Sequence, residues 1–317
     1  MRVTNSMISN NFLRDMNTNM ENLSTLQGQM TTGKEIRKPS DNPFKVARAM
    51  QLHSDINTNK QYGENISDTT NWMSTTDTAL GQSGDVLQRI RELLVSTGDP
   101  GYGADEQAAI KNEINQKIGE MSQILNTNYD GRYVFGGTKS NSKPVMEQVT
   151  AGNTNIAFAD NTGTLAATPA ELAMIGSKLS VEVSQGVTMQ YNINAADVIN
   201  NGGGAATSLT TVFSNITTHL DAGATSILIG QDLKDITDAM TNVLKLRSEV
   251  GAKTNRMESA KSKNESDNFN MTEILSKTED IDITQKTMEY ATMQTVYTAS
   301  LQTSAKILQP TLMDYLR

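Results

Sequence analysis

The sequence has no cysteine, which removes disulfides, thiolate metal sites and cysteine nucleophiles together. Aromatic residues make up 5% of its 317 positions, with one tryptophan, Trp72, and apolar residues make up 37%. A compact enzyme core normally uses more of both. Histidine occurs twice, at His53 and His219, and neither has a carboxylate or second histidine at ligand spacing on a clear helical face. No apolar run approaches the roughly 20 residues of a membrane span. The first residues, MRVTNSMISNNFL, lack the apolar core and cleavage site of a secretory signal. The sequence therefore reads as cytoplasmic unless export uses a signal-less route. Net charge is −8, which suits neither nucleic acid nor an anionic membrane. No nucleic acid, membrane, metal or cofactor is expected, and no catalytic residue is assigned.

What the sequence does contain is pattern at both ends. Phe12, Met16, Asn19, Leu23, Leu26 and Met30 step by four and three. So do Tyr290, Gln294, Tyr297, Leu301, Ser304 and Leu308, with Met293, Val296, Ser300, Thr303 and Ile307 beside them. The mean period of 3.5 is that of a coiled-coil seam. A lone helix cannot hide such a stripe, so each end needs the other end or another copy of the chain. The assembly residues expected are Phe12, Met16, Leu23, Leu26, Met30, Tyr290, Met293, Val296, Tyr297, Leu301, Ile307 and Leu308.

Between the ends the period changes twice. Gly33 and Pro39 break the first helix, and Asn42–Pro43 reads as an N-cap with proline at the first helical position. A long helix to about Thr97 carries Met73, Thr76, Leu80, Ser83, Leu87, Ile90, Leu94 and Thr97 on one stripe. GDPGYGADE (98–106) is a turn. The next helix, about 104–128, presents Ile110, Ile114, Ile118, Met121 and Leu125. From Pro144 two-residue alternation takes over, with a hairpin across Leu179–Val183 and Val187–Ile193. Asn200–Gly204 is a flexible exit, followed by a short helix with Leu209, Val212, Phe213, Ile216 and Leu220 on one face. Ile236, Val243, Val250 and Met257 then mark heptads. KSKNESDN (261–268) reads as a loop or bend, and the last helix as starting near Thr272. The fold class is mainly α with a β-rich insertion: an elongated coiled-coil and bundle body formed by both termini, plus a central β-containing outer domain. The divisions are 1–42 with 272–317, 43–139 with 231–271, and 140–230.

Other candidate chemistry is thin. Gly28, Gly33 and Lys34 fit most of a phosphate-binding loop, but Glu35 stands where a hydroxyl is needed and a helix precedes it. Glu279, Asp280 and Asp282 read as a solvated helix start. Lys34, Arg37, Lys38, Lys45 and Arg48 make 34–48 locally basic, either a solvated loop or a surface for an acidic neighbour.

Several of these segments match a known pattern. QMTTGKEIRKPSDNP (29–43) resembles the flagellin N-terminal signature through Thr32, Gly33, Lys34, Ile36, Pro39, Ser40, Asp41 and Pro43, with Asn42 replacing an aspartate. Asp77, Ala79 and Leu80, then Arg89, Arg91, Glu92 and Leu93, match further elements. NYDGRYVFGG (128–137) and ASLQTSAKILQPTLMDYLR (299–317) are similar to the junction-protein branch of that superfamily, the type 3 hook-associated proteins. The resemblance covers about 1–140 and 230–317 and omits the insertion.

It implies a structural, non-enzymatic adaptor of the bacterial flagellum, located outside the cell. Its implied partners are the first hook-associated protein, flagellin, copies of itself in a ring, and an export chaperone that holds the C-terminal helix. Type III export without a cleaved signal is implied as well. The terminal helices would line an axial channel, while the insertion faces outward. From the stripes themselves, the ends are expected to be largely disordered until assembly folds them. Filament flagellin is the nearest alternative reading. A secreted enzyme on this scaffold and a glycan-binding insertion are the others.

Overall fold

The computed structural model describes residues 5–99, 103–163, 165–200 and 208–307. Its helices are α1 (Asn5–Thr32), α2 (Pro43–Ser96), α3 (Ala104–Leu125), α4 (Pro169–Ile175), α5 (Ala195–Ile199), α6 (Leu209–Asp221), α7 (Thr225–Ile227), α8 (Leu233–Glu279) and α9 (Ile283–Ile307). A π-helical turn, Leu228–Asp232, leads into α8. Three antiparallel hairpins supply the strands: β1–β2 (Asn128–Tyr129, Arg132–Tyr133), β3–β4 (Val145–Thr150, Asn153–Phe158) and β5–β6 (Ser180–Ser184, Val187–Gln190). The chain is thus mainly helical with small sheets in its central region, as its periodicities indicate.

The residues form two compact units. The central unit runs from Asn59 to Ser266. Its core takes the whole α2 stripe: Met73, Leu80, Leu87, Ile90 and Leu94 are fully buried, and Thr76, Ser83 and Thr97 with them. The hydroxyls of Thr76 and Ser83 donate to the carbonyls of Trp72 (2.8 Å) and Ala79 (2.9 Å), so these polar residues enter the core already satisfied. Ile110, Ile114, Ile118, Met121 and Leu125 of α3 face the same core, as do the apolar residues of α6 and Ile236, Val243, Val250 and Met257 of α8. The β3–β4 hairpin lies against α3 and α6. Val181 pairs with Met189 in the β5–β6 hairpin, and a register shift between Glu182 and Ser184 then sets Val187 opposite Ser184. Within this unit α2 and α8 run antiparallel: Arg247 Nε reaches Asp77 Oδ1 at 3.1 Å, and Asn59 meets Asn264.

That last pair corrects the reading of 261–268. The segment is not a loop but the continuation of α8. Asn264 lies seven residues beyond Met257 and is buried. Its side-chain amide donates to the Asn59 carbonyl (2.9 Å) and Oδ1 (2.7 Å), and Asn59 Nδ2 donates back to the Asn264 carbonyl (2.8 Å). The heptad runs through the polar stretch with an asparagine in the seam, the residue that fixes helix register at some cost in stability. Gly63 permits the approach, since a Cβ there would stand 3.0 Å from Asn264 Oδ1. The helix breaks at 280–282, so α9 starts at Ile283 rather than near Thr272. Two short helices inside the region of alternation, α4 and α5, were also not anticipated.

Candidate assembly interface

The terminal unit comprises Met1–Thr58 and Asp267–Arg317. Its organising contact is α1 against α9. Gly33 ends α1: at φ +70° it takes the left-handed conformation that glycine adopts without penalty, and its N–H bonds the Gln29 carbonyl at 2.8 Å. The chain then meets the break before α9. Glu35 N–H donates to the Glu279 carbonyl (2.6 Å), and Ile281 N–H donates to the Gly33 carbonyl (3.1 Å). These bonds place the end of α1 beside the start of α9, so the two helices are antiparallel.

Side chains reinforce the crossing. Lys34 Nζ sits 2.8 Å from both Glu279 Oε2 and Asp280 Oδ1, and His53 Nε2 lies 3.4 Å from Glu279. Hydrogen bonds to Asp280 and then Glu279 raise the Lys34 pKa. Lys34 lowers that of Asp280. Burial resists ionisation of Glu279, but Lys34 and His53 outweigh it and hold its pKa below the ordinary carboxylate value. Lys45 pairs with Glu35 at 2.7 Å. Asp41 accepts the backbone N–H groups of Lys38 (3.0 Å) and Arg37 (3.1 Å), which lowers its pKa. Asn42 Oδ1 accepts the Lys45 N–H at 3.1 Å and caps α2, with Pro43 at the first helical position. The motif around Gly33–Pro43 is therefore a built corner. Lys34 and Lys45 are neutralised within the chain rather than held for an outside partner.

The seam between the helices follows the predicted spacing. On α1, Ser9, Phe12, Met16, Asn19, Leu23, Leu26 and Met30 are half-buried, while most of the positions between them are exposed. On α9 the inward set is Lys286, Tyr290, Met293, Tyr297, Ser300 and Ser304, in steps of four and three. Counted from the Gly33–Ile281 bond with equal rise in both helices, Tyr290 comes level with about residue 24 and Tyr297 with about residue 17. The two sets interleave. Of the expected residues, Phe12, Met16, Leu23, Leu26, Met30, Tyr290, Met293 and Tyr297 lie on this seam. Val296 (43% exposed) and Leu301 (44%) face solvent. Ile307 closes α9, and Leu308 lies outside the described residues.

The ends pair with each other within a single chain, one of the two partners the stripes call for. What remains uncovered is a second set of apolar side chains. Met7, Leu13 and Met20 on α1, Phe44 and Met50 on α2, Phe269 and Ile274 on α8, and Ile283 and Met288 on α9 are exposed. Sequence reasoning missed these, although Leu13 and Met20 stand seven apart. A small cluster of Ala49, Ile56 and Leu275, flanked by Leu52 and Met271, is the unit's other buried core among the described residues.

The histidines do not meet. His219 lies in the central unit, where its Nδ1 is 2.7 Å from Asp232 Oδ2. Burial raises the pKa of Asp232, with His219 pulling the other way.

Comparison with known proteins places this architecture. The bacterial flagellin N-terminal helical region matches residues 3–140, and the bacterial flagellin C-terminal helical region matches residues 233–316. The chain belongs to the bacterial flagellin family. Among this flagellin-family chain's relatives, a flagellin of Clostridium tyrobutyricum is 28% identical over 53% of this chain and 46% of its own length. Flagellar hook-associated protein 3 of Salmonella typhimurium is 26% identical over 48% of each. The chain thus matches just under half the length of these two relatives. The crystal structure of flagellar hook-associated protein 3 from Legionella pneumophila shares the fold, with a TM-score of 0.59 at 14% identity over 72% of this chain and 98% of that one. The flagellin-family match at the two ends leaves out residues 141–232, which hold β3 to β6 and α4 to α7. The family is one of flagellar structural proteins.

Proposed function

We propose that this chain is a structural adaptor of the bacterial flagellum that joins the hook, through the first hook-associated protein, to the flagellin filament. The observation that carries it is the state of the terminal unit. Its helix pair has a coiled-coil seam that is only half-buried, and exposed apolar side chains lie on four helices around it. Apolar surface of that kind supports a site covered by other subunits. The hook-associated relatives supply the junction reading, and the DGRY element at Asn128–Gly137 agrees with it.

On this reading the terminal seam residues from Phe12 to Met30 and from Tyr290 to Leu308 form the assembly interface. The expected division was 1–42 with 272–317, 43–139 with 231–271, and 140–230; the compact units instead divide at 58/59 and 266/267, and on this reading 140–230 faces outward. Neighbours in a ring of copies, the first hook-associated protein and flagellin cover the exposed apolar side chains. Export through the flagellar apparatus proceeds without a cleaved signal, with a chaperone masking α9. Assembly, not turnover, is the task, so the chain is no enzyme.

Filament flagellin is the second reading, favoured by the Clostridium relative. Deleting the gene separates the two. An adaptor's loss leaves flagellin made but shed into the medium. Loss of the filament subunit leaves none to shed, and that result would sink the adaptor reading.

A further inference from the structure

The chain's only tryptophan sits in a pocket of about 190 Å³ within the central unit. Asp68, Thr69 and Trp72 come from one face of α2, and Tyr129, Asp130 and Arg132 from the β1–β2 hairpin. Tyr191 follows β6. Tyr129 and Tyr191 each stand edge-on to the indole, with centroids 6.0 Å away and interplanar angles of 81° and 88°. Asp130 and Gly131, both at positive φ, make the tight turn that carries Arg132 over the indole ring, 5.7 Å from its centroid.

A purely structural aromatic cluster leaves its polar atoms paired, and this one does not. Trp72 is 95% buried, and its Nε1 has no hydrogen-bond partner among the described residues. An orphaned buried donor is a standing cost to the fold. The Tyr129 and Tyr191 hydroxyls and the exposed Asp68 and Asp130 carboxylates make no hydrogen bond or ion pair with any described residue, and the carboxylates are left to solvent or a ligand. Arg132 uses Nε on Ser140 Oγ at 3.1 Å. Aromatic walls are thus ringed by unspent donors and acceptors of both kinds.

The charges narrow the ligand. An incoming cation would meet Arg132 already seated on the indole. An incoming anion would meet Asp68 and Asp130. A neutral ring with hydroxyls that both donate and accept can serve the Asp68 and Asp130 carboxylates and the two tyrosine hydroxyls together, while Trp72 Nε1, closed to solvent, takes no part. We propose that this pocket binds a neutral carbohydrate ring. The inference is independent of the adaptor reading.

Because Trp72 is the sole tryptophan, its fluorescence reports on this pocket alone. The full chain is titrated with glucose, galactose, mannose and N-acetylglucosamine, with choline and acetate as charged controls. The expected result is a saturable change with at least one sugar. Its affinity should fall about tenfold in Asp68→Asn and in Asp130→Asn, the loss of one charge-assisted hydrogen bond. Both positions are exposed, and unchanged thermal melting checks that each variant folds. Three results overturn the proposal: no saturable change with any of the sugars, a saturable change with choline or acetate alone, or a sugar response equal in wild type and both variants.

Discussion

In the central unit, Ile236, Val243, Val250 and Met257 recur every seven residues, and none is more than 1% exposed. In the terminal unit, Tyr290 and Tyr297, and Lys286, Met293 and Ser300, recur at the same interval and stay half-buried, and of this inward set only the small Ser304 is buried. Spacing alone therefore does not bury a stripe. In the central unit α2, α3, α6, α8 and the hairpins all contribute side chains to one core. In the terminal unit the stripes of α1 and α9 lie against each other, and two helices cannot exclude water from a seam on all sides. What the two units teach together is that burial counts neighbours. On the proposed reading, other subunits supply those the terminal unit lacks.

That contrast can be broken at several depths. The largest effect belongs to the central core. Phe135 is fully buried, so Phe135→Ala is expected to cost about 3–5 kcal/mol, read as a lowered midpoint in denaturant unfolding. Next comes His219→Ala, which strands the Asp232 carboxylate, 2% exposed. The expected loss is about 1–3 kcal/mol in the same transition. Burial raises the Asp232 pKa in the fold, so this group favours the folded state in acid, and that favour is lost as pH rises through its folded value. A variant in which the stability difference grew toward acid pH would contradict the assignment.

Leu23→Ala on the half-buried seam is expected to cost about 1–2 kcal/mol, less than a full core truncation. It should leave the central unfolding transition in place while impairing filament attachment, scored as flagellin in the culture medium. Smallest is Lys34→Met at the corner. The lysine is 41% exposed, so solvent screening keeps the expected loss below about 1 kcal/mol. The pair contributes above the ordinary carboxylate range and fades in acid, as pH falls through the lowered values of Asp280 and Glu279. It fades again in alkali, as pH rises through the raised value of Lys34. Stability of the variant and the wild type should therefore converge at both extremes.

Much of the helical frame was legible because it rests on local signals. Gly33 stops α1, Asn42–Pro43 starts α2, and the stripe from Met73 to Thr97 gives the buried face of α2 residue by residue. The α8 segment around Asn264 was misread because a polar run looks like a loop. Only the pairing with Asn59, distant in sequence, shows that its asparagine is a seam residue. The short helices α4 and α5 were legible but overlooked. Thr168–Glu171 and Asn194–Asp197 are capping boxes, the first followed by Pro169. At the interface, the inward stripe was readable from period. Which apolar side chains stay outside was not, since Val296 and Leu301 share the spacing of the seam and still face solvent. That choice is set by the rotation of α9 against α1, a tertiary quantity.

The most direct test is amide hydrogen exchange on the isolated, unassembled chain. A terminal helix pair that waits for its neighbours should lose protection across residues 9–30 and 286–304 far faster than α2, α3 and α8 lose theirs across 73–94, 110–125 and 236–257. The same amides should become slow once the chain is incorporated at the flagellar tip. Equal, strong protection of both sets in the solitary chain would contradict an interface completed only by assembly.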